Sequence, residues 1–340
     1  MKRPTIADVA KAAGVSKGAV SYAINGQPGV SEETRRRIVE VADALGFRAS
    51  SAARALAGAP AKVVGLTLRR PATTLGIEPF FLELVRGLED ELSRHSYALL
   101  LQMVPDTDTE TAVYRRWSSD RSVDGVLVCD VRVDDQRIGA LQVLGLPAVV
   151  VGPPREAGSL AGIWSDDELS LVEAVEYLVA LGHRRIARVG GIPELAHSAI
   201  RAETFADLAR RLGLDGAITI DTDYSGEAGA KATRELLAAR VRPTALVYDN
   251  DIMAIAGLST AQELGLAVPA DLSIVAWDDS PICQLAHPPL TALSRDIFAY
   301  GAQAARLLME AIGGKQITSV HAAPAHLSPR GSTAPPPESR

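Results

Sequence analysis

The 340-residue sequence predicts an α/β protein: an N-terminal all-α helix-turn-helix head with a hinge helix, then two doubly wound parallel-sheet lobes. Three observations predict it. Short, capped helices with a Gly-containing turn fill the first 48 residues. From residue 61 onward, apolar runs of strand length alternate with amphipathic stretches. Charge also changes sign along the chain: residues 1–60 hold nine Lys/Arg against five Asp/Glu, and the remaining 280 hold 26 against 36. A basic head on an acidic body is expected where only the head meets phosphate.

The head reads in order. Thr5 with Asp8 is a capping-box start, Val9, Ala10 and Ala13 give the buried side, and Gly14 ends the helix. Ser16 caps a second helix that runs through Val20 to about Ile24 before Asn25-Gly26 stops it. Ser31 caps a third, with Ile38, Val39, Ala42 and Leu45 as one apolar stripe. Two helices joined by a turn of about 3–4 residues containing Gly form a helix-turn-helix, whose second helix can lie in the major groove. Lys17, Gly18, Ser21 and Tyr22 project opposite Val20 on that helix. Residues 49–58 are small apart from Arg54 and Leu56, a short helix that is marginal when isolated.

The residues that carry this pattern resemble the DNA-binding end of the LacI/GalR transcription regulators: Thr5-Ile6-Ala7-Asp8-Val9-Ala10, Ala13-Gly14-Val15-Ser16, Val20-Ser21, Asn25-Gly26, Val30-Ser31, Thr34-Arg35 and the hinge Ala53-Arg54-Ala55-Leu56. The resemblance extends to about residue 322 and places Lys17, Gly18 and Tyr22 at base edges. Lys17 can donate to guanine, and the Tyr22 ring can meet a thymine methyl. Thr5, Ser16, Ser21 and Asn25 complete the expected contacts, the last three suiting phosphates or caps. The resemblance implies that Leu56 wedges into the minor groove and that Arg54 meets phosphate. Ala19 and Tyr22 stand where Thr and Arg are often seen, so no operator sequence carries over; Ala49 and Ser50 replace the usual Pro and Asn before the hinge.

In the body, Val63 to Leu68, Ala98 to Gln102, Gly125 to Cys129 and Ala148 to Val151 read as buried parallel strands. A second set is Ile186 to Val189, Ala217 to Ile220, Ala245 to Tyr248 and Ser273 to Trp277. Helices are expected between them, among them Phe80 to Arg94, Leu169 to Leu181, Glu203 to Leu212 and Ala228 to Ala239. Ligands in such folds bind beyond the carboxyl ends of strands, here between the lobes. The resemblance implies a periplasmic-binding-protein-like type I core. The expected organisation is a head over 1–48, a hinge over 49–60 and a core over 61–322. Within the core the first lobe takes about 61–163 plus 292–322 and the second about 164–291; a Pro/Ser-rich tail over 323–340 is expected to be disordered.

Polar residues cluster at the strand ends of the second lobe: Arg201, Tyr224, Asn250-Asp251 and Asp278-Asp279. Carboxylates and a forked guanidinium suit vicinal hydroxyls, and an aromatic suits a sugar ring. The resemblance marks Arg201-Ala-Glu-Thr-Phe205, with Thr204 in place of Gly, and makes Asn250 and Asp278 effector ligands; Asp251 is read as structural. From the first lobe it adds Glu78 and Phe81 of Glu78-Pro79-Phe80-Phe81, and it adds Arg295. Gly152 stands where many sugar-responsive members carry Asp, so no particular sugar is inferred.

The function implied is a dimeric, ligand-responsive repressor of a pseudo-palindromic double-stranded operator, released by a small sugar effector. A corepressor of purine type is the alternative. No enzyme is expected. Gly226-Glu-Ala-Gly229-Ala-Lys231 fails the phosphate-loop spacing, no G-x-S-x-G is present, and Gly182-His183-Arg184-Arg185 reads as a structural turn. Two distant cysteines, Cys129 and Cys283, form no disulfide framework, and neither metal nor cofactor is expected. Met1 to Ala10 lacks an apolar leader core and no apolar run approaches 18 residues, so the expected setting is cytoplasmic, with no membrane partner. A transport solute-binding protein and a cytoplasmic sugar enzyme are the rival classes.

Overall fold

A computed structural model describes residues 4–24, 27–47, 60–69 and 78–337. Contacts divide the chain into one unit of residues 1–63 with 113–124 and another of 64–112 with 125–340. The expected DNA contacts Asn25, Arg54 and Leu56 lie outside the described residues.

In the first unit, three helices run Ile6–Ala13 (α1), Lys17–Ile24 (α2) and Glu32–Ala44 (α3). Thr5 starts α1, its amide donating to Asp8 Oδ2 at 2.8 Å, and Gly14 ends it in the left-handed region. Ser16 Oγ accepts from the Ala19 amide at 3.1 Å, and Ser31 Oγ from Thr34 at 3.3 Å, so both expected caps form. Val9, Val20 and Ile38 are fully buried at the centre of the bundle. The α3 stripe is narrower than expected: Ile38 and Ala42 are buried, but Val39 and Leu45 are both 41% exposed.

The second unit holds two six-stranded sheets. Strands Val63–Leu68 (β1), Ala98–Met103 (β2), Gly125–Val128 (β3), Ala148–Val151 (β4) and Gly162–Trp164 (β5) build the first, joined by Val320–His321 (β11). The order is β11-β5-β4-β3-β1-β2. The second sheet comprises Ile186–Gly190 (β6), Ile218–Asp221 (β7), Ala245–Tyr248 (β8), Ser273–Trp277 (β9), Thr291–Ser294 (β10) and His326–Ser328 (β12), ordered β12-β10-β9-β8-β6-β7. Both sheets therefore switch direction between their first and third strands, where doubly wound folds bind ligands.

Each sheet gains two strands over the four expected. Both sit towards one end of their sheet and come from the crossovers or the tail. The boundaries move accordingly. Trp164 ends a first-sheet strand, and β10 pairs in parallel with β9, so residues 292–294 belong to the second lobe rather than the first.

Over its described residues, 323–337, the tail corrects the expectation of disorder; residues 338–340 lie outside the described residues. Residues 326–328 pair antiparallel with β10, in the register Ala292 with Ser328 and Ser294 with His326. Ser332 is fully buried, its hydroxyl donating to the Ile274 carbonyl at 2.7 Å and accepting from the Thr291 amide at 2.8 Å. Further along, the Ala334 carbonyl reaches His183 Nε2 at 2.9 Å, and His183 Nδ1 meets Thr244 Oγ1 at 2.9 Å. Burial holds that imidazole below its ordinary value, so the Gly182–Arg185 turn is a structural clasp. Composition alone misjudged the segment because its stability comes from pairing with strands far away in sequence.

In the first lobe, the Pro79–Arg94 and Ile297–Ile312 helices cross with backbones in contact. A Cβ added at Gly87 would lie 2.1 Å from the Phe298 carbonyl oxygen, and one at Gly301 2.4 Å from that of Leu84. Only glycine permits this approach, which brings Phe81 and Tyr300 together in the lobe's core.

Candidate functional site

A cleft opens between the lobes, as ligand sites in such folds do. All seven residues singled out from the sequence line it: Glu78, Phe81, Arg201, Tyr224, Asn250, Asp278 and Arg295. Three of them, Asn250, Asp278 and Arg295, sit within two residues of a strand's end, in keeping with the switch-point rule. Asp249 and Asn250 follow β8, Asp278 follows β9, Arg295 follows β10, and Gly152 follows β4.

Arg201 stands in the Ala196–Leu212 helix, 4% exposed, and its guanidinium carbon lies 3.5 Å from the centre of the Trp277 ring. Its Nη2 donates to Asp167 Oδ1 at 3.1 Å and its Nη1 to the Asp249 carbonyl at 3.2 Å. Burial opposes its charge, but Asp167 and Asp249 outweigh that and hold the group above its ordinary value. Its Nε, buried, has no hydrogen-bond partner. Behind it, Arg188 and Asp249 form a fully buried ion pair: Arg188 Nε donates to Asp249 Oδ1 at 2.9 Å, and the Gly191 amide donates to Oδ2 at 3.2 Å.

Asp278 has φ +65°, a left-handed conformation uncommon outside glycine. Its Oδ1 lies 3.6 Å from Arg295 Nη2, too far to bond, and has no other partner. Burial pushes the carboxyl above its ordinary value against the pull of Arg295 and Arg201. Arg295 Nη1 donates to Ser165 Oγ at 2.8 Å, while its Nε is also buried and without a bond. The guanidinium lies 5.3 Å from the Phe80 ring centre and 5.5 Å from that of Tyr300. Thus Arg201, Asp278 and Arg295 converge with hydrogen-bonding capacity unspent.

Two other expected residues have work of their own. Asn250 caps the Asp251–Glu263 helix, Oδ1 accepting from the Met253 amide at 2.8 Å, and its Nδ2 donates to the Tyr224 carbonyl at 3.0 Å. Tyr224 is 3% exposed, its hydroxyl 2.8 Å from both His197 Nε2 and Ser198 Oγ. Its ring covers Gly191 so closely that a Cβ there would sit 1.8 Å away. It is more wall than stacking platform. The lobes also meet across the cleft, the Val133 amide donating to the Glu194 carbonyl at 3.1 Å and the Ala196 amide to that of Val131 at 2.8 Å.

Sequence reasoning missed Asp167, Asp249, Trp164, His197 and Tyr300, all on the cleft wall. Asp249 could have been found by the strand-end rule. Arg330, from the tail, could not. Its Nη1 and Nη2 grip Asp279 at 2.8 and 2.6 Å and its Nη1 also donates to the Leu290 carbonyl, fixing the residue beside Asp278.

On the head, Ser16, Lys17, Gly18 and Tyr22 are exposed while Val20 and Ala23 are buried, and Ser21 is intermediate. The Tyr22 ring rests against Gly29, where a Cβ would lie 3.2 Å from the ring. Arg35, also missed, reaches back from α3 to cap α2, donating to the Ala23 carbonyl at 3.0 Å and the Gln27 carbonyl at 2.7 Å. The Thr5 hydroxyl donates to Asp8 Oδ2 at 2.7 Å.

Residues 5–50 match the bacterial regulatory proteins, lacI family, and residues 175–333 match the periplasmic binding protein-like domain. The HTH-type transcriptional regulator MalR of Streptomyces coelicolor is 32% identical over 323 residues, spanning 91% of this chain and 90% of its own. The chain belongs to the LacI/GalR family of transcriptional regulators. Like other family members, it joins a DNA-binding helix-turn-helix head to a periplasmic-binding-protein-like core. The solved complex of the regulator CelR with cellobiose is 28% identical, covering 97% of this chain and all of that one, with TM-score 0.73. The lac repressor dimer bound to operator and the anti-inducer ONPF is 25% identical, covering 98% of this chain and all of that one, with TM-score 0.83. The 175–333 match reaches into the tail, in keeping with its ordered strand. No described helix is long and apolar enough to cross a membrane.

Proposed function

We propose that this regulator is a repressor that binds a pseudo-palindromic operator as a homodimer and is released when a neutral sugar or sugar derivative binds between the lobes. The observation that carries the ligand half is the convergence of Arg201, Asp278 and Arg295 on the cleft, each with a buried polar atom lacking a partner. Unsatisfied buried groups are costly, and a polyhydroxylated ligand both donates and accepts. Glu78, Asp130, Asp167, Asp249 and Asp278 outnumber the two arginines on the wall, which disfavours an anionic effector. A purine corepressor would leave this balance of donors and carboxylates less well matched.

For the DNA half, Lys17, Gly18 and Tyr22 read base edges, and Thr5, Ser16, Ser21 and Asn25 meet phosphate or support the helix. Arg54 meets phosphate and Leu56 enters the minor groove at the operator centre. A dimer sets two reading helices one helical turn apart, matching half-site symmetry. Exposed Leu82 on the Pro79–Arg94 helix and Leu285, 70% and 73% accessible, offer apolar surface for such pairing. The effector favours the conformer that cannot pair its hinges on DNA, through a coupling of about 1–3 kcal/mol. Its role is recognition, not catalysis, and its setting the cytoplasm.

The test is binding of the purified full-length protein to DNA upstream of its own gene while mono- and disaccharides and purines are titrated. Release by a sugar supports the reading. Tightening by a purine replaces it with a corepressor, and failure to bind any such DNA removes its support.

A further inference from the structure

One carboxylate holds the point where the chain leaves the expected hinge and starts β1. Asp124 Oδ1 accepts from the Ala61 amide at 2.8 Å, and its Oδ2 accepts from the Lys62 amide at 2.7 Å. Its own amide donates to the Val63 carbonyl at 2.8 Å. Lys62 has φ +60°, a conformation that a residue with a side chain keeps only where its neighbours hold it.

Asp124 directly precedes β3, a fully buried strand paired with β1 on one side and β4 on the other. A short strand bonded on both sides in a close-packed core has little room to bend. Its far end reaches the cleft, where Cys129 and Asp130 line the wall. Arg137 Nη2 donates to both of their carbonyls, at 3.1 and 2.9 Å, and so fixes the exit of the strand. The next residues carry the two backbone bonds to the second lobe, Ala196 amide to Val131 carbonyl and Val133 amide to Glu194 carbonyl. The single segment 124–133 therefore holds the backbone at 61–62, forms part of the cleft wall and grips the opposite lobe.

We propose that Asp124 is a positioning residue for DNA binding: through β3 it couples the two cross-lobe bonds to the backbone at 61–62, and through that backbone to the head. The effector then has no need to touch the hinge. Making or breaking the two bonds as the lobes move is enough. The inference rests on the DNA-binding reading above.

Two substitutions break the cross-lobe bonds without touching Asp124. Ala196 opens its helix and Leu195 before it is extended, so Ala196→Pro removes the donor and suits the helix start. Val133→Pro removes the other donor at an exposed side chain. The test measures amide hydrogen exchange at Ala61 and Lys62 in the full-length protein, and affinity for duplex DNA that the wild type selects from a random pool. Asp124→Ala should speed exchange at both amides at least about tenfold, and Asp124→Asn, which keeps one acceptor, should speed it less. Either proline variant should also speed that exchange and change DNA affinity at least about fivefold. In the Asp124→Ala background each should change DNA affinity less than about twofold. Unchanged exchange in a folded Asp124→Ala protein overturns the anchor. Proline effects that persist without Asp124, or proline variants with wild-type exchange and DNA affinity, overturn the coupling. A wild-type protein that selects no duplex overturns the DNA-binding reading itself.

Discussion

The two lobes share one strand order but present different surfaces to the cleft. Each anchors its strand ends with a buried arginine. In the first lobe Arg137 bonds Glu110 at 2.7 Å, Asp135 at 2.6 Å and the Asp130 carbonyl at 2.9 Å; in the second Arg188 holds Asp249. Beyond the anchors they diverge. The first lobe's wall carries Phe80, Phe81, Val151 and Tyr300, and the second lobe's carries Arg201, Asp249, Asn250 and Asp278. The first lobe's wall is thus richer in apolar rings, with Glu78 and Asp130 as its carboxylates, and the second lobe's is richer in charged and hydrogen-bonding groups. The second lobe's polarity costs it stability: Asp251 and Asp278 are both held above their ordinary pKa by burial.

The anchors give the largest expected effect. Arg188→Met strands the buried Asp249 carboxylate and should cost about 3–5 kcal/mol in urea unfolding, and Arg137→Met should cost as much. A loss below about 1 kcal/mol in either breaks the equivalence of the two anchors.

Asp251→Asn probes the cost borne by the second lobe alone. Its carboxyl is pushed from 3.8 to about 7, by burial first and then by the nearby Asp278. Between those values the folded state binds more protons than the unfolded one, so stability falls as pH rises through the window. The Asn variant should gain up to a few kcal/mol at pH 8 and lose that slope, seen by comparing unfolding at pH 5 and pH 8. An unchanged slope would assign it elsewhere.

Asp278→Ala should weaken the effector by about 2–3 kcal/mol, with operator affinity unaltered in a gel-shift titration. Parallel loss of both would mean a folding defect rather than a ligand contact.

The smallest effect is expected at Arg330→Met, which frees Asp279 and loosens the strained Asp278 backbone from one residue away. Effector affinity should drop by about 1 kcal/mol, with Arg330→Lys recovering part of it because a single cation still reaches the carboxylate. Equal behaviour of Met and Lys would reduce Arg330 to a packing residue.

Much of this was legible in the chain. Thr5, Ser16 and Ser31 announced helix starts because their signals are local, within three residues of the capped amide. Buried strands such as Ala245–Tyr248 were legible because a four-residue apolar run flanked by polar residues has few other uses. Arg201 and Asp278 were found through motif and strand-end position. Arg35 and Arg330 were not, since their carbonyl and carboxylate partners lie 8 to 51 residues away. The tail failed for a related reason: Pro and Ser describe a weak local preference and are silent about an edge strand that can accept a partner.

The sequence by itself determined the capped helices of the head, the two alternating series and the residues available for recognition, because caps and hydrophobic periods act over a few residues. Only the tertiary structure decided that the tail completes the second sheet, that Arg330 steadies Asp279, that Gly87 and Gly301 let two helices touch, and that Asn250 and Tyr224 are spent on their own lobe. Those outcomes depend on which buried groups meet across tens of residues, where the cost of an unpaired charge or a clashing Cβ selects the partner.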